Sequence, residues 1–292
     1  MDFGIAFANA GPFADPTTGV ACARAAEQAG FESLWTVEHV LVPAGYESTY
    51  PYSKTGKMPG GEELDIPDPL IWLAYIAAAT TTIKLGTGIL ILPQRSPGVA
   101  AKEIATLDKL SGGRVLLGVG AGWLEEEFKA LGVPFERRGQ RLDSNIATLR
   151  ALWADGTATV HDEFTDIVEA ISLPKPPNGS VPIHIGGHSD PAARRAGRLG
   201  DGFFPGKGSH DDLVRLFDVM RRAAEEAGRD ADAVELTVSG GGLFKPDWED
   251  ELAWLHDHNV SRVTIAPLAW DAASAADSYG AFAERVIAAA NA

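Results

Sequence analysis

The 292-residue sequence contains a single cysteine, Cys22, and only three methionines. One thiol excludes an intramolecular disulfide and a cysteine-built zinc site, and it suits a reducing cytoplasm. Basic residues are scarce too: 25 Lys and Arg stand against 40 Asp and Glu, for a formal net charge of −15. A surface of that sign repels nucleic acid and anionic membranes, so neither is expected as a partner, and an anionic ligand needs a local basic patch. Long apolar runs are missing. The best candidate, "IWLAYIAAATTTIKLGTGILILP", is interrupted by Thr, Lys84 and Gly before it reaches the ~18 residues of a membrane span. The start, "MDFGIAFANAGPF", has no basic region and too short an apolar run for a signal peptide.

What is present is alternation. Short apolar runs bounded by Gly or Pro lie at Phe3 to Phe7, Ser33 to Thr36, Lys84 to Leu92, Val115 to Gly120, Pro182 to Ile185, Gly202 to Phe204, Val234 to Val238 and Arg262 to Ile265. Between them, segments with helical spacing cover 16–29, 69–80, 97–110, 137–154, 190–199, 211–227, 250–258 and 275–290. Strands apolar on both faces, alternating eight times with helices, predict a parallel sheet closed as a (β/α)8 TIM barrel over a single domain, 1–292. A doubly wound open sheet is the alternative. Two departures from a minimal barrel stand out. Residues 37–68, rich in Gly, Pro and Tyr, form a connection of about 30 residues after strand 2, far beyond an ordinary βα loop, and predict a lid. Residues 155–180 form an insertion before strand 5, read as a short hairpin and a stiff linker.

The C-terminal strand ends of a barrel gather at one mouth, where catalytic groups are built. The unusual residues fall there. Strand 2 ends in Glu38 and His39, a histidine that could be structural or could act as acid or base beside the lid. Glu38 points to the opposite face if the chain stays extended, which suits support. Strand 4 ends in "GVGAGW". Trp123 stands where a dinucleotide fingerprint needs its third glycine, so the glycines either bare the backbone for a flat ring or simply pack the barrel tightly. Strand 5 ends in Gly186-Gly187-His188-Ser189, with Ser189 as N-cap and Pro191 in the first turn: a phosphate site, or an ordinary capped helix. Metal ligation has little support, since strand 1 carries no His-x-His and only His184 and His188 remain as spare ligands. The segments "LEEEFKALG" and "ERRGQRLD" are expected to be solvated helix faces.

"GFESLWTVEHVLVP", the stretch from "DPLIWLAYIAAATTTIKLGTGILILP" through "GVGAGWLEEEFKALGVPFERRGQRLD", and "PIHIGGHSDPAARRAGRLGDGFFP" resemble the bacterial luciferase-like monooxygenase family. The resemblance is greatest to its actinobacterial branch of coenzyme F420-dependent oxidoreductases, with FMN-dependent members sharing much of the pattern. It implies a TIM barrel with a deazaflavin ring at the mouth, His39 beside the reacting ring carbon and Glu38 as its acidic neighbour. It further implies a non-prolyl cis peptide at Gly88–Ile89 buttressing the ring, Gly120, Ala121 and Gly122 along the ring and ribityl chain, and Gly186, Gly187, His188 and Ser189 around the phosphate. Trp123 departs from the branch, whose sugar-phosphate dehydrogenases carry an acid there; this argues against glucose 6-phosphate and toward a flatter, more apolar substrate. The tryptophan expected after Pro43 is absent as well. Trp123, Tyr50 and Tyr52 are expected to shape the substrate pocket, and Lys54, Lys57 and Lys207 to form a basic lip for the cofactor's anionic tail. The expected activity is hydride transfer between F420 and a small organic substrate, in a homodimer; an FMN-dependent monooxygenase and a non-catalytic ligand-binding barrel are the alternatives.

Overall fold

The computed structural model describes residues 1–206 and 208–291. These form strands β1 (Asp2–Ile5), β2 (Ser33–Thr36), β3 (Lys84–Thr87), β4 (Val115–Val119), β5 (Ala158–His161), β6 (Asp166–Ala170), β7 (Ile183–Gly186), β8 (Gly202–Phe204), β9 (Glu235–Ser239) and β10 (Arg262–Ile265). All but β5 and β6 close a parallel barrel in the order β1-β10-β9-β8-β7-β4-β3-β2. Helices α1 (Pro16–Gln28), α2 (Pro69–Ala77), α3 (Pro97–Ser111), α4 (Glu125–Ala130), α5 (Arg138–Trp153), α6 (Asp190–Leu199), α7 (His210–Glu226), α8 (Trp248–Asp257) and α9 (Ala275–Phe282) surround it. Several start on a proline behind a polar cap: Asp15 and Asp68 each accept two backbone amides at the starts of α1 and α2. A proline there loses no helical hydrogen bond, because those first N–H groups have no partner within the helix. Among the described residues no helix is long and apolar enough to cross a membrane.

One indole fills the centre of the barrel. Trp35 is 1% exposed; a Cβ placed on Gly86 would lie 2.6 Å from its ring, and one on Gly4 2.8 Å from the ring and 2.6 Å from the Ser33 hydroxyl it bonds. Adjacent strands therefore give up side chains so that one large ring can occupy the axis. Gly118 is bare for a different reason, since its Cβ would sit 1.9 Å from the Thr87 carbonyl oxygen. Beneath Trp35, at the N-terminal strand ends, Arg262 is 1% exposed and bonds both carboxylate oxygens of Glu32 at 2.8 Å, with Glu235 at 3.1 Å. This end of the barrel is shut by compensated charge.

Strand 3 ends earlier than the apolar run predicts. The ladder stops at Thr87, the Gly88–Ile89 peptide is cis, Leu90 bridges Val119, and Leu92–Gln94 forms a 3-10 turn. Leu90 and Leu92 are fully buried without belonging to the strand, so burial and not ladder pairing explains the run. The insertion before β7 is the antiparallel hairpin β5–β6. The excursion between β2 and α2 is pinned at both ends by Asn9, which is 0% exposed: its Nδ2 donates to the carbonyls of Val37 (2.9 Å) and Pro67 (3.0 Å), and its Oδ1 accepts from Val37 N (2.8 Å).

Candidate active site

Glu38 and His39 leave β2 in different directions. Glu38 is buried, accepts the Ile91 amide on one oxygen and binds Arg95 through Nε (3.1 Å) and Nη2 on the other. Burial pushes its carboxyl up, against the pull of the guanidinium and the amide. Burial also pulls Arg95 down, but Glu38 and Asp68 outweigh this and hold it above its ordinary value. Three donors on one carboxylate favour the ionised pair. Glu38 therefore braces the turn after the cis peptide, and the carboxylate bonded to His39 is a different one. Nδ1 of His39 lies 3.0 Å from Glu127 Oε2, while Glu127 Oε1 accepts the amides of Val40 (2.7 Å) and Leu41 (3.3 Å).

This corrects the expectation that "LEEEF" is a solvated helix face. Glu127 is 0% exposed, and Glu126 accepts the amides of Glu47 (2.7 Å) and Ser48 (3.0 Å). The Ser48 hydroxyl and these amides hold Glu126 down at about 2. Helical spacing places three consecutive carboxylates at the start of α4, but the lid folds over that start and takes up two of them.

The lid carries an arc of aromatic contacts across the mouth. His39 meets Trp123 edge-on at 5.5 Å, Trp123 meets Tyr50 at 5.1 Å, Tyr50 meets Tyr52 at 5.3 Å, and Tyr52 lies 4.8 Å from His188. Residues from β2, β4, the lid and β7 are thus joined in one wall. Tyr46 and Met58 are buried behind it with Leu124, and burial pushes the Tyr52 phenol up to about 12. Opposite bulge residues complete the floor. A Cβ on Gly120 would fall 1.9 Å from Ile89 Cδ1, and one on Gly186 2.5 Å from Ile89 Cγ2. The bare backbone of strand 4 is therefore filled at Gly118 and Gly120 by neighbouring protein atoms. Gly88, Ile89, Ala121, Gly122, Trp123, Gly186, Gly187 and His188 stay partly accessible above a ring of buried strand residues. At the turn after β7, Gly187 has φ +119°, and Ser189 caps α6 by accepting from Ala192 N at 3.4 Å. Phe7, expected to end strand 1, lies two residues beyond β1; it holds φ +56° and is 42% exposed, an uncommon conformation for an aromatic residue.

Residues 1–285 match the model of the luciferase-like monooxygenase family. The chain belongs to that family. An uncharacterised protein of Mycobacterium tuberculosis (strain ATCC 25618 / H37Rv) is 36% identical over 223 residues, covering 76% of this chain and 77% of the relative. The F420-dependent glucose-6-phosphate dehydrogenase of Amycolatopsis mediterranei (strain U-32) is 31% identical over 233 residues, 78% of this chain and 65% of that protein. Among solved structures, the coenzyme F420 dependent tetrahydromethanopterin reductase of Methanopyrus kandleri superposes with a TM-score of 0.76 at 18% identity, over 99% of each chain. That likeness is one of fold.

Within this luciferase-like barrel the basic lip is thinner than expected. The Lys57 ammonium is spent on the Tyr46 carbonyl and lies 3.8 Å from the Tyr46 ring centre, Lys54 is exposed, and Lys207 lies outside the described residues. Arg194 pairs with Asp190 at 3.9 Å, and Arg195 is bound to Asp143 and the Gly139 carbonyl. A cleft of about 420 Å³ opens at the ends of β8 and β9, lined in part by Gly206, Ser209, His210, Ser239, Lys245 and Glu251. Gly206 borders it where its Cβ would reach 2.9 Å from the Tyr52 ring, so the aromatic arc ends where the cleft begins.

Proposed function

We propose that this chain is an oxidoreductase that uses coenzyme F420 to exchange a hydride with a small organic substrate at the barrel mouth. The observation that carries the reading is the partly accessible arc from His39 through Trp123, Tyr50 and Tyr52 to His188, set above buried strands. A flat tricyclic group fits such a surface. Ile89 offers an apolar face, Ala121 and Gly122 stay partly accessible beside it, and the N-terminus of α6 behind the turn suits a phosphate, with the Gly187 amide already given to the Phe204 carbonyl. When bound, the deazaflavin supplies a ring carbon that gives or takes hydride. The protein's share is orientation, exclusion of water by the lid, and a proton at His39, which balances the hydride when a carbonyl becomes an alcohol or the reverse.

The 31% identical relative named as an F420-dependent dehydrogenase supports this cofactor. Trp123 in the wall, packed on His39 and Tyr50, has no acid to offer, which supports a substrate other than glucose 6-phosphate. Lys245, in the neighbouring cleft where His210 pairs with Glu251, adds that such a substrate or the cofactor's tail can carry a polar end. The family's name favours a second reading, an FMN-dependent monooxygenase. Parallel fluorescence titrations with F420 and FMN separate the readings. F420 binding without FMN binding is expected. FMN binding with oxygen consumption by the reduced flavin would favour the monooxygenase, and binding of neither would leave a ligand-binding barrel.

A further inference from the structure

We propose that Glu127 is the positioning residue of this site: its carboxylate holds His39 with the proton on Nδ1, so that protons are exchanged with a ligand through Nε2, and it ties that orientation to the root of the lid. The inference rests on the reading of His39 as the group that handles a proton.

The argument starts from donors and acceptors. An ionised carboxylate only accepts hydrogen bonds, and backbone amides only donate. Glu127 Oε1 takes two amides, Val40 N at 2.7 Å and Leu41 N at 3.3 Å, and Oε2 faces His39 Nδ1 at 3.0 Å. With Glu127 ionised, Nδ1 is the donor. A carboxylate behind one imidazole nitrogen fixes both the tautomer and the angle of the ring, and leaves the other nitrogen as the one that gains or loses a proton. The three contacts fall on three consecutive residues, 39 to 41, directly after β2. Glu127 itself is 0% exposed in the first turn of α4, so no water shell competes for its oxygens. The neighbouring Glu126 holds the amides of Glu47 and Ser48 further along the lid. Movement of the lid away from α4 would therefore release the imidazole along with the chain that follows it.

A brace with no bearing on chemistry would make the same contacts, so the test reads the proton directly. Glu127→Gln preserves size. Its amide oxygen has to face the two backbone donors, which turns its NH2 toward Nδ1 and forces Nδ1 to accept. The proton then belongs on Nε2. Nitrogen-15 spectra of ring-labelled protein without ligand, assigned with His39→Ala and recorded upward in pH until the ring is neutral, are expected to show Nδ1–H in the wild type and Nε2–H in Glu127→Gln. Turnover in Glu127→Gln should fall at least ~10-fold while cofactor affinity stays within about twofold, and combining it with His39→Ala should add no further loss. An unchanged tautomer in the variant, or Nε2–H in the wild type, overturns the proposal. If the variant does not fold, the wild-type spectrum decides alone. Because the spectra need no cofactor, a shifted tautomer with neither F420 nor FMN bound would sink the functional reading and leave the role of Glu127 standing; F420 binding with an unshifted tautomer would do the reverse.

Discussion

The two ends of the barrel are built on opposite terms. At the N-terminal end, buried charge is answered within the barrel: Arg262 meets Glu32 and Glu235, and Trp35 is seated in glycines above it. At the C-terminal end, the partly accessible side chains belong to the strand exits and the lid, and they touch one another edge-on instead of interlocking. The lower end holds the closure of the sheet, and the upper end leaves surface for a ligand, the division of labour that parallel barrels generally show. The two buried acids of the mouth repeat the contrast at close range. Glu38 spends its charge on Arg95 and stability, and Glu127 spends its charge on His39 and orientation.

The sharpest way to break the lower end is Trp35→Ala. The surrounding glycines have nothing with which to refill the space, so urea unfolding should show a loss of about 4 kcal/mol. A loss under about 1 kcal/mol would mean that the centre can collapse and is not packed as described. Arg262→Met comes next: it removes the guanidinium from Glu32 and Glu235, leaving Glu32 with Lys84 at 2.7 Å, and should cost about 3 kcal/mol, while F420 titration of the folded variant stays unchanged. His39→Ala should act the other way. Turnover falls at least ~10-fold, equivalent to about 1.4 kcal/mol in the barrier, with cofactor affinity kept. Unchanged turnover removes His39 from the mechanism.

Acid gives the most graded contrast. Burial, with the Arg262 charge, pushes His184 down to about 3 from an ordinary 6.5, and neither ring nitrogen finds a hydrogen bond among the described residues. Below pH 6.5 the unfolded chain therefore takes up a proton that the folded barrel refuses, and stability drains as pH falls from 6.5 toward 3. Glu126 is depressed from 4.5 to about 2, so its hold on the lid is complete above 4.5 and is lost as pH falls through 2. Urea midpoints should slope downward already between pH 6.5 and 4.5, with hydrogen-exchange protection factors at the Glu47 and Ser48 amides steady over that window. His184→Asn should flatten the slope; a slope that survives the substitution would assign it elsewhere.

Much of this was legible in the residues. Eight alternations, apolar on both strand faces, predicted the closed barrel, and the placement of strand ends predicted where His39, Trp123 and the turn at 186–189 gather. An extended chain past Thr36 would place Glu38 and His39 on opposite faces; the strand ends before them, and the two side chains take different partners, Arg95 and Glu127. The apolar run overstates strand 3 because Leu90 and Leu92 are buried by the turn and not by the ladder, and composition does not distinguish the two. The role of Asn9 was not legible, since a pin between Val37 and Pro67 has no local signature.

The sequence by itself determined the barrel, the long excursion after strand 2, and a histidine at the mouth, because periodicity and strand ends are properties of short stretches of chain. Only the tertiary structure decided which acid serves that histidine. Glu125, Glu126 and Glu127 are chemically identical neighbours, and Glu127 meets His39 across 88 residues. The angle at which α4 docks beneath the lid leaves one of them in solvent, gives one the lid's amides, and buries the third against the imidazole. That choice is made by packing between distant segments, which no local pattern records.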